Sequence, residues 1–170
     1  VDDIGTNYLV QHTTGSGKSY SIGWLSHLLT SLYKDKNSDE RMFSSIIVVT
    51  DRKVLDKQLQ NTITSLQQVS GVVNNVTQGS KQLKEFLEQG KDIIVTTIQK
   101  FPYVSSNINE LDQKSFAVII DEVHSSQSGE LATAMKSALN IDISENEDEI
   151  DLERAKKIGH PAPFPVELPK

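Results

Sequence analysis

Apolar residues along the chain fall into two alternating patterns, short continuous runs and runs spaced three or four apart. The continuous runs predict strands: "YLVQ" at 8–11, "SIIVVT" at 45–50, "VVNNV" at 72–76, "DIIVTT" at 92–97 and "FAVIID" at 116–121. Between them the spacing turns helical. Gly17 to Tyr33 is expected to bury a stripe of Trp24, Leu25, Leu28, Leu29 and Leu32. Residues 52–66 align Leu55, Leu59, Ile63 and Leu66. A third helix carries Leu83, Phe86 and Leu87 with Ser80 as its cap, and a fourth runs from Gly129 to Leu139. Strands apolar on both faces, alternating with helices, are expected of an α/β fold with a parallel sheet and helices on both faces.

Composition adds a boundary. Residues 142–170 hold eight of the 23 acids and four of the 17 bases, and residues 159–170 hold four of the five prolines. Both stretches are poor core material. The chain is therefore expected to divide into a domain at 1–140 and an acidic, then Pro-rich, loop or tail at 141–170. The "GHPAPFPVELP" stretch (159–169) resembles a segment near the end of some DNA amino-methyltransferases, but their hallmark motifs are absent, and an extended tail is the simpler reading. The start at Val1 beside an apolar run and the end at "FPVELPK" are expected of a piece of a longer protein. The net charge of −6 excludes a strongly basic nucleic-acid footprint, so any DNA contact by this piece alone should be weak and salt-sensitive. With no cysteine, no signal-peptide pattern and no apolar stretch near eighteen residues, the expectation is a cytoplasmic protein with no membrane span.

The candidate chemistry lies between the first predicted strand and the first predicted helix. Against the phosphate-loop pattern G-x-x-x-x-G-K-[ST], the chain offers H-T-T-G-S-G-K-S from His12 to Ser19, and His12 stands where the motif has its first glycine. Bare backbone at Thr14, Gly15, Ser16 and Gly17 lets amide groups approach an anion. The helix that follows adds about half a positive charge at its N-terminus. Lys18 is the candidate for the β- and γ-phosphates of ATP, and Ser19 for Mg²⁺. A plain Gly/Ser turn between strand and helix is the alternative for this stretch alone.

A second motif, "FAVIIDEVH" at 116–124, follows about 100 residues later. It delivers Asp121 and Glu122 at the C-terminal tip of a buried strand, the end at which open α/β sheets bind ligands. Asp121 is the candidate Mg²⁺ residue, through water. Glu122 is the candidate for polarising the water that attacks the γ-phosphate, with Lys18 and Asp121 completing the catalytic set. His124 is read as a coupling residue between nucleotide and motor. A solvated acidic turn is the alternative when this motif is taken alone. Together the two motifs point to a nucleoside-triphosphate site.

On these residues the chain resembles the first RecA-like P-loop NTPase domain of DEAD/DEAH-type (superfamily 2) helicases and translocases. "HTTGSGKS", "VVTDRKVLDKQL" (48–59), "IVTTIQKF" (94–101) and "VIIDEVHSSQSG" (118–129) are similar to the motor of the restriction (R) subunits of type I restriction enzymes. The resemblance implies ATP-driven translocation on double-stranded DNA, cleavage by a separate nuclease domain, and modification and specificity subunits as partners. It also implies that Thr50, Arg52, Thr96 and Thr97 face the DNA track. Strand-end hydroxyls capping the next helix are an equal reading of those threonines. Ser125 stands where the family often has Arg after D-E-x-H, and residues 141–170 do not match the "TGTP"-like motif expected next.

Other phosphate-loop enzymes fit less well. A kinase or GTPase-like switch usually lacks a carboxylate such as Glu122 beside the metal-binding Asp, and neither a lid nor N-K-x-D is found. None of Arg41, Arg52 and Arg154 lies in an arginine-finger motif, and lacking that group typically costs on the order of 10³–10⁵ in turnover. The piece alone is expected to bind Mg·ATP weakly, hydrolyse it barely, and neither translocate nor cut DNA.

Overall fold

The structure is a computed structural model that describes residues 8, 10–13, 15–51, 53–67, 69–104, 114–121 and 130–139. Helix α1 (Lys18–Thr30) is followed by β1 (Ser45–Thr50), α2 (Lys53–Ser65), β2 (Val73–Asn75), α3 (Ser80–Gln89) and β3 (Ile93–Thr97). A 3₁₀ helix (Ile98–Tyr103), β4 (Phe116–Ile120) and α4 (Glu130–Ala138) complete the order. The four strands form one parallel sheet in the order β2-β3-β1-β4. This is the expected α/β architecture.

Side chains alternate across each strand, and the two sets build two cores. Ile46, Val48, Ile93 and Val95 face α1 and α2 through Ile22, Leu59 and Ile63. Ile47, Val49 and Ile94 face Leu83 and Leu87 of α3, Ile98 and Phe101 of the 3₁₀ helix, and Met135 and Ala138 of α4. Helices thus cover both faces, and β1 and β3 are buried along their whole length. Their apolar runs are continuous for that reason.

Four details depart from the sequence pattern. Tyr8, Val10 and Gln11 form no strand among the described residues, and Tyr8 and Val10 stay 73% and 69% exposed, so neither supplies burial to hold one; Leu9 lies outside the described residues. Helix α1 is set by a different stripe from the one its leucines suggest. It buries Ile22, Gly23 and Ser26 and half-buries Leu29, while Trp24, Leu25, Leu28 and Leu32 are exposed. The cause is the close approach to α2: a Cβ on Gly23 would lie 2.7 Å from Leu66 Cδ1 and 3.6 Å from Ile63 Cα. The N-cap of α3 is Gly79 rather than Ser80, with no side-chain cap. Gln82 Oε1 instead accepts from the Thr77 and Gln78 amides, each at 2.7 Å. The 3₁₀ helix after β3 was not apparent in the periodicity. It buries Ile98 and Phe101 despite Pro102 inside it. In α2, Leu59 and Ile63 are buried as expected, and the Leu55 side chain lies outside the described residues.

Candidate nucleotide site

The C-terminal ends of β1, β3 and β4 form one edge of the sheet, and the glycine-rich loop meets that edge. A turn from Thr13 to Ser16 is closed by the Ser16 amide donating to the Thr13 carbonyl at 3.2 Å. Gly15, third in that turn, has φ +80, and Gly17 has φ +84. Both angles are left-handed and favour glycine. A Cβ at either position would meet nothing within 4 Å among the described residues.

Gly17 is the N-cap of α1, where no side chain supplies a cap hydrogen bond. The Tyr20 and Ser21 amides donate back to the Gly17 carbonyl at 2.9 and 3.1 Å. The start of α1 therefore presents a helix N-terminus whose N-cap residue supplies no side-chain acceptor, an arrangement suited to an anion. One tie crosses the loop: His12 Nδ1 lies 3.1 Å from Ser16 Oγ. The sequence pattern registers His12 only as a missing glycine, because a contact between side chains four apart in a loop has no periodic signature.

Lys18 leaves the first turn of α1 and reaches the tip of β4, where its Nζ lies 2.7 Å from Asp121 Oδ1. Asp121 is 7% exposed, and its amide continues the ladder by donating to the Val49 carbonyl at 2.9 Å. The contact is ionic without hydrogen-bond alignment, and Oδ1 has no aligned donor among the described residues. A buried carboxylate oxygen of this kind can receive a metal-bound water or the metal itself. Ser19, half-buried in the same turn as Lys18, supplies a hydroxyl. One carboxylate and one hydroxyl beside the glycine-rich loop are a donor set that fits Mg²⁺, which keeps several waters and few protein ligands.

The structure therefore brings together Gly15, Ser16, Gly17, Lys18, Ser19 and Asp121. Thr14, Arg52, Glu122 and His124 lie outside the described residues. Thr50, Thr96 and Thr97 end β1 and β3 at the same sheet edge, with their side chains buried at 1%, 0% and 2% exposure. The Thr50 and Thr96 hydroxyls have no hydrogen-bond partner among the described residues. Thr97 is the N-cap of the 3₁₀ helix but makes no side-chain cap bond. Beside them, Gln99 Nε2 donates to the Asp51 carbonyl at 2.9 Å and to Asp51 Oδ1 at 3.0 Å, joining the tips of β1 and β3.

Arg41 is far from this edge. Its guanidinium pairs with Asp92, just before β3, and the hydrogen bond and charge of Asp92 raise its pKa above the ordinary value. Among the described residues, no helix is long and apolar enough to cross a membrane.

Comparison with known proteins gives the same picture. Residues 3–143 match the profile of the SWI2/SNF2 ATPases. An endonuclease subunit of a type I restriction enzyme from Staphylococcus aureus is 30% identical over 138 residues, covering 79% of this chain and 14% of that protein. The corresponding subunit of the HindI enzyme from Haemophilus influenzae is 34% identical over 123 residues, covering 69% of this chain and 11% of that protein. A subunit described as that of a putative type I restriction enzyme from Methanocaldococcus jannaschii is 25% identical over 155 residues, 81% of this chain and 14% of the relative. The chain thus spans between about a ninth and a seventh of the length of these relatives.

Proposed function

The chain belongs to the SWI2/SNF2 ATPase family, and from that premise we propose that it is the ATP-binding motor domain of a type I restriction enzyme R subunit. It couples ATP hydrolysis to movement along double-stranded DNA before a separate nuclease domain cuts. The observation that carries this reading is the Lys18–Asp121 contact, which joins two motifs about 100 residues apart at one sheet edge. Resemblance to restriction endonuclease subunits from three organisms supports the choice among ATP-driven motors.

In this reading, the amides of Thr14 to Gly17 cradle the phosphates, and Lys18 neutralises the β- and γ-phosphates. Ser19, and Asp121 through water, would hold Mg²⁺, which would supply Lewis-acid neutralisation of the phosphate oxygens. Glu122 orients and polarises the attacking water, and His124 couples the nucleotide to the rest of the motor. Thr50, Arg52, Thr96 and Thr97 border the DNA track; Thr50, Thr96 and Thr97 are buried whole, which leaves the adjoining turns as the contacting surface. Modification and specificity subunits complete the assembly in the cytoplasm. Residues 1–140 form the motor unit, and 141–170 a loop or tail.

Two measurements on the full-length protein test this. Lys18→Ala should abolish binding of a fluorescent ATP analogue, and binding at wild-type strength would remove the phosphate-loop reading. Double-stranded DNA should stimulate ATP hydrolysis; turnover indifferent to DNA would point instead to a DNA-independent switch.

A further inference from the structure

We propose that His12 is a positioning residue of the phosphate loop, pre-setting the loop for nucleotide through its bond to Ser16. This inference rests on the ATP-site reading. The loop places two left-handed glycines, Gly15 and Gly17, on either side of Ser16. Glycine loses more conformational freedom on ordering than any other residue, so a loop with two of them is costly to fix before its ligand arrives.

Among the described residues, two contacts restrain Ser16. Its amide closes the turn onto the Thr13 carbonyl at 3.2 Å, and its hydroxyl meets His12 Nδ1 at 3.1 Å. The second contact is made by the residue that occupies the motif's first glycine position. An imidazole there does what glycine cannot: it spans the base of the turn and fixes the residue between the two flexible positions. The bond can run either way, Nδ1–H to Oγ or Ser16 O–H to Nδ1, depending on the tautomer. Its energetic effect is pre-organisation, less ordering left to be done when the triphosphate binds. His12 is exposed and belongs to neither core, so its loss should leave the fold intact.

The test uses the full-length protein and a fluorescent ATP analogue. His12→Ala and His12→Gly should each weaken binding roughly fivefold to tenfold. The glycine variant is the pointed one, because it restores the usual motif residue and is nevertheless expected to bind less well. His12→Asn, whose side-chain amide can donate or accept near the Nδ1 position, should recover affinity to within about twofold. In ATPase assays the Ala and Gly variants should raise KM more than they lower kcat. Ser16→Ala should weaken binding as His12→Ala does, and the double variant should lose little more than either single one.

Wild-type affinity in His12→Gly, no recovery in His12→Asn, or additive losses in the double variant would each overturn the proposal. Lys18→Ala separates it from the site reading. If analogue binding survives that change, the site itself is misassigned. If Lys18→Ala abolishes binding while the His12 variants bind like wild type, only the role of His12 is lost.

Discussion

Asp121→Asn offers the sharpest test of the site, because it should move two affinities in opposite directions. Lys18 Nζ is held 2.7 Å from the Asp121 carboxylate, so a triphosphate must draw the amine away from a charge it already neutralises. The Lys18 side chain is 40% exposed, which screens the pair, while the Asp121 side chain is only 9% exposed, which strengthens it. An exposed pair contributes up to about 1 kcal/mol, and this half-sheltered one belongs at the upper end of that range. Removing the negative charge takes away this one contact of Lys18 and also relieves repulsion between Asp121 and the phosphates. Binding of a metal-free ATP analogue should therefore tighten about fivefold, the equivalent of about 1 kcal/mol. In the proposed site the same substitution would also weaken the hold on Mg²⁺, so the gain in affinity on adding Mg²⁺ should shrink. Analogue titrations of wild type and variant, each with Mg²⁺ and with a chelator, read both effects. Metal-free binding that is unchanged or weaker in the variant would refute the reasoning, because Asp121 would then not compete with phosphate for Lys18.

Three further substitutions probe the scaffold. Gly23→Val puts side-chain atoms into the contact with Leu66 and Ile63 and should cost about 1–3 kcal/mol, seen as faster hydrogen exchange in α1 and α2. Phe101→Ala empties a fully buried position in the core shared by α3 and α4 and should cost about 3–5 kcal/mol, lowering exchange protection along β3. Arg41→Ala should leave analogue affinity within about twofold of wild type, because five strand residues at about 3.3 Å each separate its partner Asp92 from the C-terminal sheet edge. A larger loss would place Arg41 in the nucleotide site.

The buried strands were legible because nothing but continuous β-branched and aliphatic runs fits a strand covered on both faces, as "SIIVVT" and "DIIVTT" are. The glycine-rich loop was legible because left-handed backbone at Gly15 and Gly17 restricts the choice of residue. The rotation of α1 was not. Its leucines suggest one buried stripe, but a glycine that admits α2 decides the other, and that partner lies some forty residues away. Lys114 is a similar case. Its amine donates to the Leu87 carbonyl at 2.8 Å and also to the Glu88 carbonyl, placing a cation at the C-terminus of α3. No local pattern marks such a contact across 27 positions. His12 was seen only as a motif mismatch, since its meaning depends on where Ser16 turns.

The seating of Gly23 has a mechanical consequence. The α2 atoms nearest that point are Leu66 Cδ1 and Ile63 Cα, and His27 Nε2 meets the Ile63 carbonyl at 3.1 Å one turn further on. The two helices are thus tied at two successive turns. Helix α1 begins at Lys18, and α2 begins shortly after β1, beside the tip that Gln99 fastens to β3. In the proposed site, a pull on the lysine would have this pair of contacts as its route to the neighbouring strand tips.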